Sequence, residues 1–376
     1  MRRLAAAAPI LLALAVAAFI ALNLTIGLHP DDVKIIADSA DSSYGDLWTS
    51  PFLDRFYRPL VVTCVRLSLD LFDDVAIPLR VLQGGLIIAI VATLVTTLRD
   101  RVNLAARYTA ALYALASPLT FVSVSLFAVG IGDLIVGLMF VLAVRTALLG
   151  GKPAWWIAFS IIALCSKESG VLVAAYCVLE AGRRRQFAIA GLICAAVLAY
   201  LYFRTTFVHR SSFEFSTGFF FETYSPAELD REFGGSPLRL YVYNIAANLV
   251  NAITGFPDRG ELKLVGRVAL LMPATVISTA LIARYLTVQR QWKALAPFVG
   301  VLLLNAIVGY AYVRSRIMFV GAFSIAILLA YTVDDLIARA QRVLGITGRR
   351  WAAILICLWI AVLVHSLARL RFQAAA

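Results

Sequence analysis

Charged side chains are scarce in this chain, and those that interrupt its apolar stretches are the ones placed to do chemistry. Asp31 and Asp32 directly follow an apolar run of residues 4–28. A carboxylate there is suited to act as general base on an acceptor hydroxyl, provided it lies within hydrogen-bond reach. Its neighbour would raise one pKa of the pair or help bind a divalent cation, magnesium or manganese. A solvated loop start has the same composition. Asp133 stands at the head of another apolar run, Val129-Gly130-Ile131-Gly132-Asp133-Leu134. It either caps backbone donors and complements a helix dipole, or faces Asp31 as a second acid.

Lys167 and Glu168 fall midway through the otherwise apolar stretch 153–182. Placing charge there costs on the order of several kcal/mol, so it usually marks a functional position. The lysine can hold a lipid phosphate as a compact cation, or the two residues can stabilise a turn as a local ion pair. Arg58, preceded by Tyr57, and Arg314 and Arg316 near the start of a late apolar run are further candidates for phosphate, since the planar guanidinium suits bidentate contacts. Snorkelling to a membrane interface is the competing role.

These residues must be positioned by membrane-embedded helices. Of the 376 residues 61% are hydrophobic and 15% charged, and the mean hydropathy is +0.86. Soluble domains are less apolar and carry about 25% charged residues, so the expected solvent is a bilayer. The expected fold class is all-α, a single transmembrane domain over 1–376. Apolar runs of about spanning length occur near 8–28, 76–98, 104–124, 131–149, 186–204, 266–287, 294–313, 317–336 and 351–368. The stretch 153–182 is different. As one helix it would be about 45 Å long and would carry Arg183-Arg184-Arg185 to the wrong side of a positive-inside topology. Two short helices of about 13 residues, turning at Ser166-Lys167-Glu168-Ser169-Gly170, resolve this and bring the total to about eleven spans. The basic residues otherwise sit in short gaps (Arg2-Arg3, Arg99 and Arg101, Lys152, Arg290 and Lys293, Arg349-Arg350), as positive-inside insertion requires.

With Arg2-Arg3 cytoplasmic, the first apolar run reads as an uncleaved span. The segments of about 29–57 and 205–265 become two large outer-face loops, the second containing an interfacial helix at 237–256. These loops hold thirteen of the 22 acidic residues. A catalytic cavity is therefore expected to face outward, where a lipid-linked donor is more accessible than a cytoplasmic nucleotide sugar. The net charge of +12 implies no nucleic-acid partner, because no basic face lies beside stacking aromatics. The five cysteines form no CxxC pair and the three histidines are scattered, so no zinc site is expected. Abundant alanine and an excess of arginine over lysine point to a GC-rich bacterial genome, hence an inner (plasma) membrane location.

In order along the chain, Asp31-Asp32, Phe56-Tyr57-Arg58-Pro59-Leu60, Ser166-Lys167-Glu168-Ser169-Gly170 and an arginine at the head of a late span resemble a known pattern. It is that of multispanning GT-C type glycosyltransferases: bacterial relatives of the protein O-mannosyltransferases, and the animal O-mannosyltransferases that carry tetratricopeptide repeats. The resemblance covers roughly residues 1–336. It implies a polyprenyl-phosphate sugar donor used on the non-cytoplasmic side, with Asp31 or Asp32 as base and Asp133 as the second-loop acid. It further implies that Lys167 and Arg316 hold the donor phosphate, with Arg58 beside them and Glu168 and Tyr57 in support. The acceptor would be a glycan, lipid or protein. Pro30 replaces the tryptophan that often precedes the acidic pair, Ser315-Arg316-Ile317 replaces Glu-Arg-Tyr, and no tetratricopeptide repeats follow. The competing classes are a transporter or flippase for a lipid-linked or anionic substrate, and a noncatalytic envelope-assembly subunit. A transporter places its site near the midplane, which the polar outer segments do not favour.

Overall fold

The computed structural model describes residues 9–21 (apart from 11, 15 and 19), 30–49, 57–117, 120, 128–207, 226–254, 273–289, 292–310 and 315–344. Every element among them is helical: α1 Pro30–Asp41, α2 Tyr44–Thr49, α3 Pro59–Phe72, α4 Ala76–Thr97, α5 Leu104–Ala116, α6 Ala128–Leu149, α7 Ala154–Ser166, α8 Gly170–Arg183, α9 Phe187–Phe207, α10 Pro226–Phe233, α11 Pro237–Thr254, α12 Pro273–Gln289, α13 Trp292–Val308, a 3-10 turn Ser315–Met318, and α14 Phe319–Leu344. Among the described residues four stretches are long and apolar enough to cross a membrane: Ala76–Thr97, Gly130–Leu149, Phe187–Thr206 and Phe319–Arg342. The spans expected near 8–28, 104–124, 266–287 and 294–313 are described only in part, and that near 351–368 lies outside the described residues.

α6 and α14 form the interior of the bundle. α6 packs on α4 and α7, α14 packs on α5 and α13, and the two meet where Phe319 and Phe323 close over Gly137. α4 and α9, by contrast, turn Ile77, Val81, Leu192, Leu198 and Tyr202 outward. Large apolar side chains facing out along helices of spanning length suit a hydrocarbon solvent.

The segment expected as an outer loop at 29–57 is helical over α1 and α2, and α3 follows where no element was expected. Both α1 and α3 are amphipathic. Asp32, Ile35 and Ser39 in α1, and Val61, Val65 and Ser68 in α3, recur at helical spacing and are buried where the two helices pack together. Their other faces carry Lys34, Asp38, Arg66 and Asp70. A search for apolar runs overlooks such helices because only one stripe is apolar.

Local signals start and stop the main helices. The Asp74 carboxylate accepts from the backbone N–H of Ala76 at 2.9 Å and of Ile77 at 3.3 Å, opening α4. Asn103 caps α5 by accepting from Ala106 N–H at 3.0 Å. It also donates its side-chain amide to Asp334 of α14 at 2.6 Å, so the cap ties two helices together. At the far end of α6, Arg101 donates to the Leu148 carbonyl at 2.5 Å and Arg184 donates to that of Ala147. Two cations thus meet the unsatisfied carbonyls and negative dipole of one helix C-terminus. Arg184 also lies 5.3 Å from the ring centre of Trp156, whose indole N–H donates to Ala143 O at 3.2 Å.

Candidate functional site

The stretch 153–182 is a helical hairpin, as its charge pattern predicts. α7 ends at Ser166 and α8 begins at Gly170. A Cβ on Gly170 would lie 2.3 Å from the backbone carbonyl of Ala163, so only glycine lets the two helices close this tightly. A Cβ on Gly132 would lie 2.9 Å from the Ser166 carbonyl and 3.1 Å from Val61. Without one, the turn lies directly on the first turns of α6, and α3 packs against the same place. The 22 residues of α6 span about 33 Å, which separates this end from the arginine-capped one.

The charges at the turn do not pair with each other. The ammonium of Lys167 pairs with Oδ1 of Asp133 in α6. Glu168 is held by Arg58, whose Nε lies 3.1 Å from each carboxylate oxygen and whose Nη2 lies 2.7 Å from Oε2. Both pairs are shielded, with Asp133 wholly buried and Arg58 7% exposed. Burial alone would raise the Glu168 carboxyl. The charge and hydrogen bonds of Arg58, with the charge of Arg204 behind them, outweigh burial and hold it down at about 2.

Asp32 is also committed. It is wholly buried, and its Oδ1 accepts from the backbone N–H of Ala128, the first residue of α6, at 2.8 Å. The cap is supplied from a helix 96 residues earlier, and a carboxylate at this end complements the dipole. Arg80 of α4 lies close enough to attract Asp32 and donates to Gln83 at 2.8 Å. Tyr57 donates its hydroxyl to Trp48 O at 3.1 Å and sets its ring 6.0 Å from that of Tyr200.

Asp32, Tyr57, Arg58, Asp133, Lys167 and Glu168 therefore gather at the N-terminal end of α6. Arg316 belongs to the 3-10 turn before α14, which is held by Asn305: its amide donates to Ile317 O at 2.5 Å and its oxygen accepts from Gly321 N–H at 2.8 Å. The side chains of Asp31 and Arg316 lie outside the described part of the structure, as do Glu214 and Glu222. Two residues of the cluster went unnoticed in the sequence, Tyr200 and Arg204 of α9. Their i, i+4 spacing near the end of an apolar helix was the available signal.

Among the described residues no three His, Cys, Asp or Glu side chains gather as a metal site. Asp133 pairs with the ammonium of Lys167, and the magnesium or manganese expected at Asp31–Asp32 falls on a pair whose Asp31 side chain lies outside the described residues. The cluster brings paired cations and carboxylates to one helix end, close to side chains that can donate to an anion. No protein-family model matches the chain, and no curated protein or solved structure matches it.

Proposed function

We propose that this chain is a membrane glycosyltransferase that moves a sugar from a polyprenyl-phosphate carrier to an acceptor on the non-cytoplasmic face of a bacterial inner membrane. The observation that carries the reading is the gathering of Arg58, Asp133, Lys167 and Glu168 on the first turns of α6. Charge kept in such surroundings acts more strongly on a transferring phosphate than charge in water. In this reading an acceptor hydroxyl attacks the anomeric carbon. The bond from that carbon to the carrier phosphate oxygen breaks, the bond to the acceptor oxygen forms, and the hydroxyl proton passes to a carboxylate. Polyprenyl phosphate leaves with the electron pair. Asp32 is occupied with capping α6, so Asp31 takes the role of base. Lys167, Arg58 and Arg316 are the cations for the leaving phosphate, for which it competes with Asp133 and Glu168 at the first two. Arginine-capped at its other end, α6 would run from the outer face to the cytoplasm, with the N-terminus of the chain cytoplasmic.

The deciding experiment presents purified protein in detergent with a panel of radiolabelled polyprenyl-phosphate sugars. Release of polyprenyl phosphate from one of them is expected. Failure to release it from any, with acceptor extracts supplied, would remove the enzyme reading.

A further inference from the structure

The two charge pairs cancel: Lys167 is matched by Asp133 and Arg58 by Glu168. One cation beside them is not matched. Arg204 lies near the C-terminal end of α9, within electrostatic reach of Glu168, and among the described residues it has no carboxylate partner. Its Nε is buried with no hydrogen-bond partner among those residues. The residue as a whole is half-buried. Two hydroxyls nearby are in the same condition. The Tyr200 hydroxyl, one helical turn before Arg204, is buried without a partner and lies in the field of Glu168, Arg204 and Arg58. Tyr200 as a whole is 7% exposed. The Ser169 hydroxyl, next in the chain to Glu168, also lacks a partner. Buried donors are rarely left unmade, because each then forfeits its hydration. These donors and one surplus positive charge, on α9 and on the turn of the hairpin that packs against it, suit an anion with several acceptor oxygens.

We propose that Arg204, Tyr200 and Ser169 form a binding subsite for a phosphate oxyanion beside the Arg58–Glu168 pair. The subsite deepens the glycosyltransferase reading, on which it rests for the identity of the anion as the carrier phosphate. Lys167 and Arg58 reach the phosphate only in competition with Asp133 and Glu168, and Arg204 adds a charge that attracts it without that competition. Tyr200 and Ser169 orient it through neutral hydrogen bonds.

The test uses the full chain in phosphatidylcholine nanodiscs and measures binding of tritiated polyprenyl phosphate against polyprenol, which has the same tail without the phosphate. Wild type is expected to prefer the phosphate by at least about tenfold. Arg204→Gln should weaken phosphate binding about ten- to hundredfold, and Tyr200→Phe about three- to tenfold, as expected for a charge-assisted and a neutral hydrogen bond. Polyprenol binding should not change, and neither should phosphate binding by Lys152→Gln at the opposite end of α6. Tyr200→Phe keeps its ring and packing, so it remains informative if Arg204→Gln unfolds. Inorganic phosphate competing at the same concentration as the lipid would mark free phosphate as the ligand, whereas competition by the lipid alone would mark the headgroup. Wild-type affinity in both variants, or no preference for phosphate over polyprenol in wild type, would overturn the subsite. Binding that depends on Arg204 in a protein that transfers no sugar would leave the subsite standing and sink the enzyme reading. Transfer with unchanged binding in both variants would do the reverse.

Discussion

Lys167 reaches back from the tip of the α7–α8 hairpin to pair with Asp133, 34 residues earlier in α6, rather than with its chain neighbour Glu168. The hairpin is thereby anchored to the central helix by charge as well as by packing. The pair is shielded, with exposures of 11% for the lysine side chain and 1% for the aspartate, so removing one partner takes the opposite charge away from a shielded group.

Lys167→Met alone and Asp133→Leu alone should each destabilise the protein by about 3–5 kcal/mol, and the double variant should recover most of that loss. Thermal unfolding in detergent measures the first effect. Sugar transfer measured on the double variant separates anchoring from chemistry: a stable but inactive double variant assigns these side chains a role in turnover, whereas a stable and active one restricts them to holding the hairpin.

The Arg58–Glu168 pair sets an acid limit. The Glu168 carboxyl is held at about 2 against an ordinary value of 4.5, so the folded state favours the ionised form. Its contribution is fully present above about 4.5 and is lost as pH falls through about 2. Unfolding midpoints recorded from pH 7 to pH 2 should therefore fall less steeply at the acid end in Glu168→Gln than in wild type. Equal slopes would show that Glu168 is not held ionised by Arg58.

Asp32 and Asp31 should behave differently on mutation. Asp32→Ala removes a helix cap and should cost about 0.5–2 kcal/mol, with Asp32→Asn keeping most of the stability because an amide oxygen still accepts from Ala128. Asp31→Asn should leave stability unchanged and abolish transfer. Retained activity in Asp31→Asn would transfer the role of base to another carboxylate.

Gly170→Ala tests the hairpin itself. The new methyl meets backbone atoms of Ala163, which have no side-chain freedom with which to yield. A large loss of stability and of expression is expected, since overpacking costs about 1–3 kcal/mol even where neighbours can adjust. A variant as stable as wild type would show that the α7–α8 crossing is looser than described.

The orientation can be read with single cysteines at exposed sites in an otherwise cysteine-free chain. Asp41→Cys in α1 should react with an impermeant thiol reagent added to intact cells. Lys152→Cys, between α6 and α7, should react only after the membrane is opened. The opposite pattern would place the cluster in the cytoplasm and remove the case for a lipid-linked donor.

The sequence by itself determined the helices whose signal is local. Continuous apolar length marked α4, α6 and α9 to within a few residues, because burial in hydrocarbon rewards every position along the helix. Charge placement marked the hairpin, since Lys167-Glu168 and the three arginines that follow Gly182 cannot both be accommodated by one straight helix. Tertiary structure decided what depends on a face or on a partner. α1 and α3 are amphipathic, and which stripe is buried follows from their packing on each other. Asp32 caps a helix 96 residues away and Arg58 binds a glutamate 110 residues away; no local spacing encodes either contact. The pairing of Lys167 with Asp133 instead of Glu168 arises because Gly132 and Gly170 let backbones approach closely enough to bring distant charges within a single salt-bridge length.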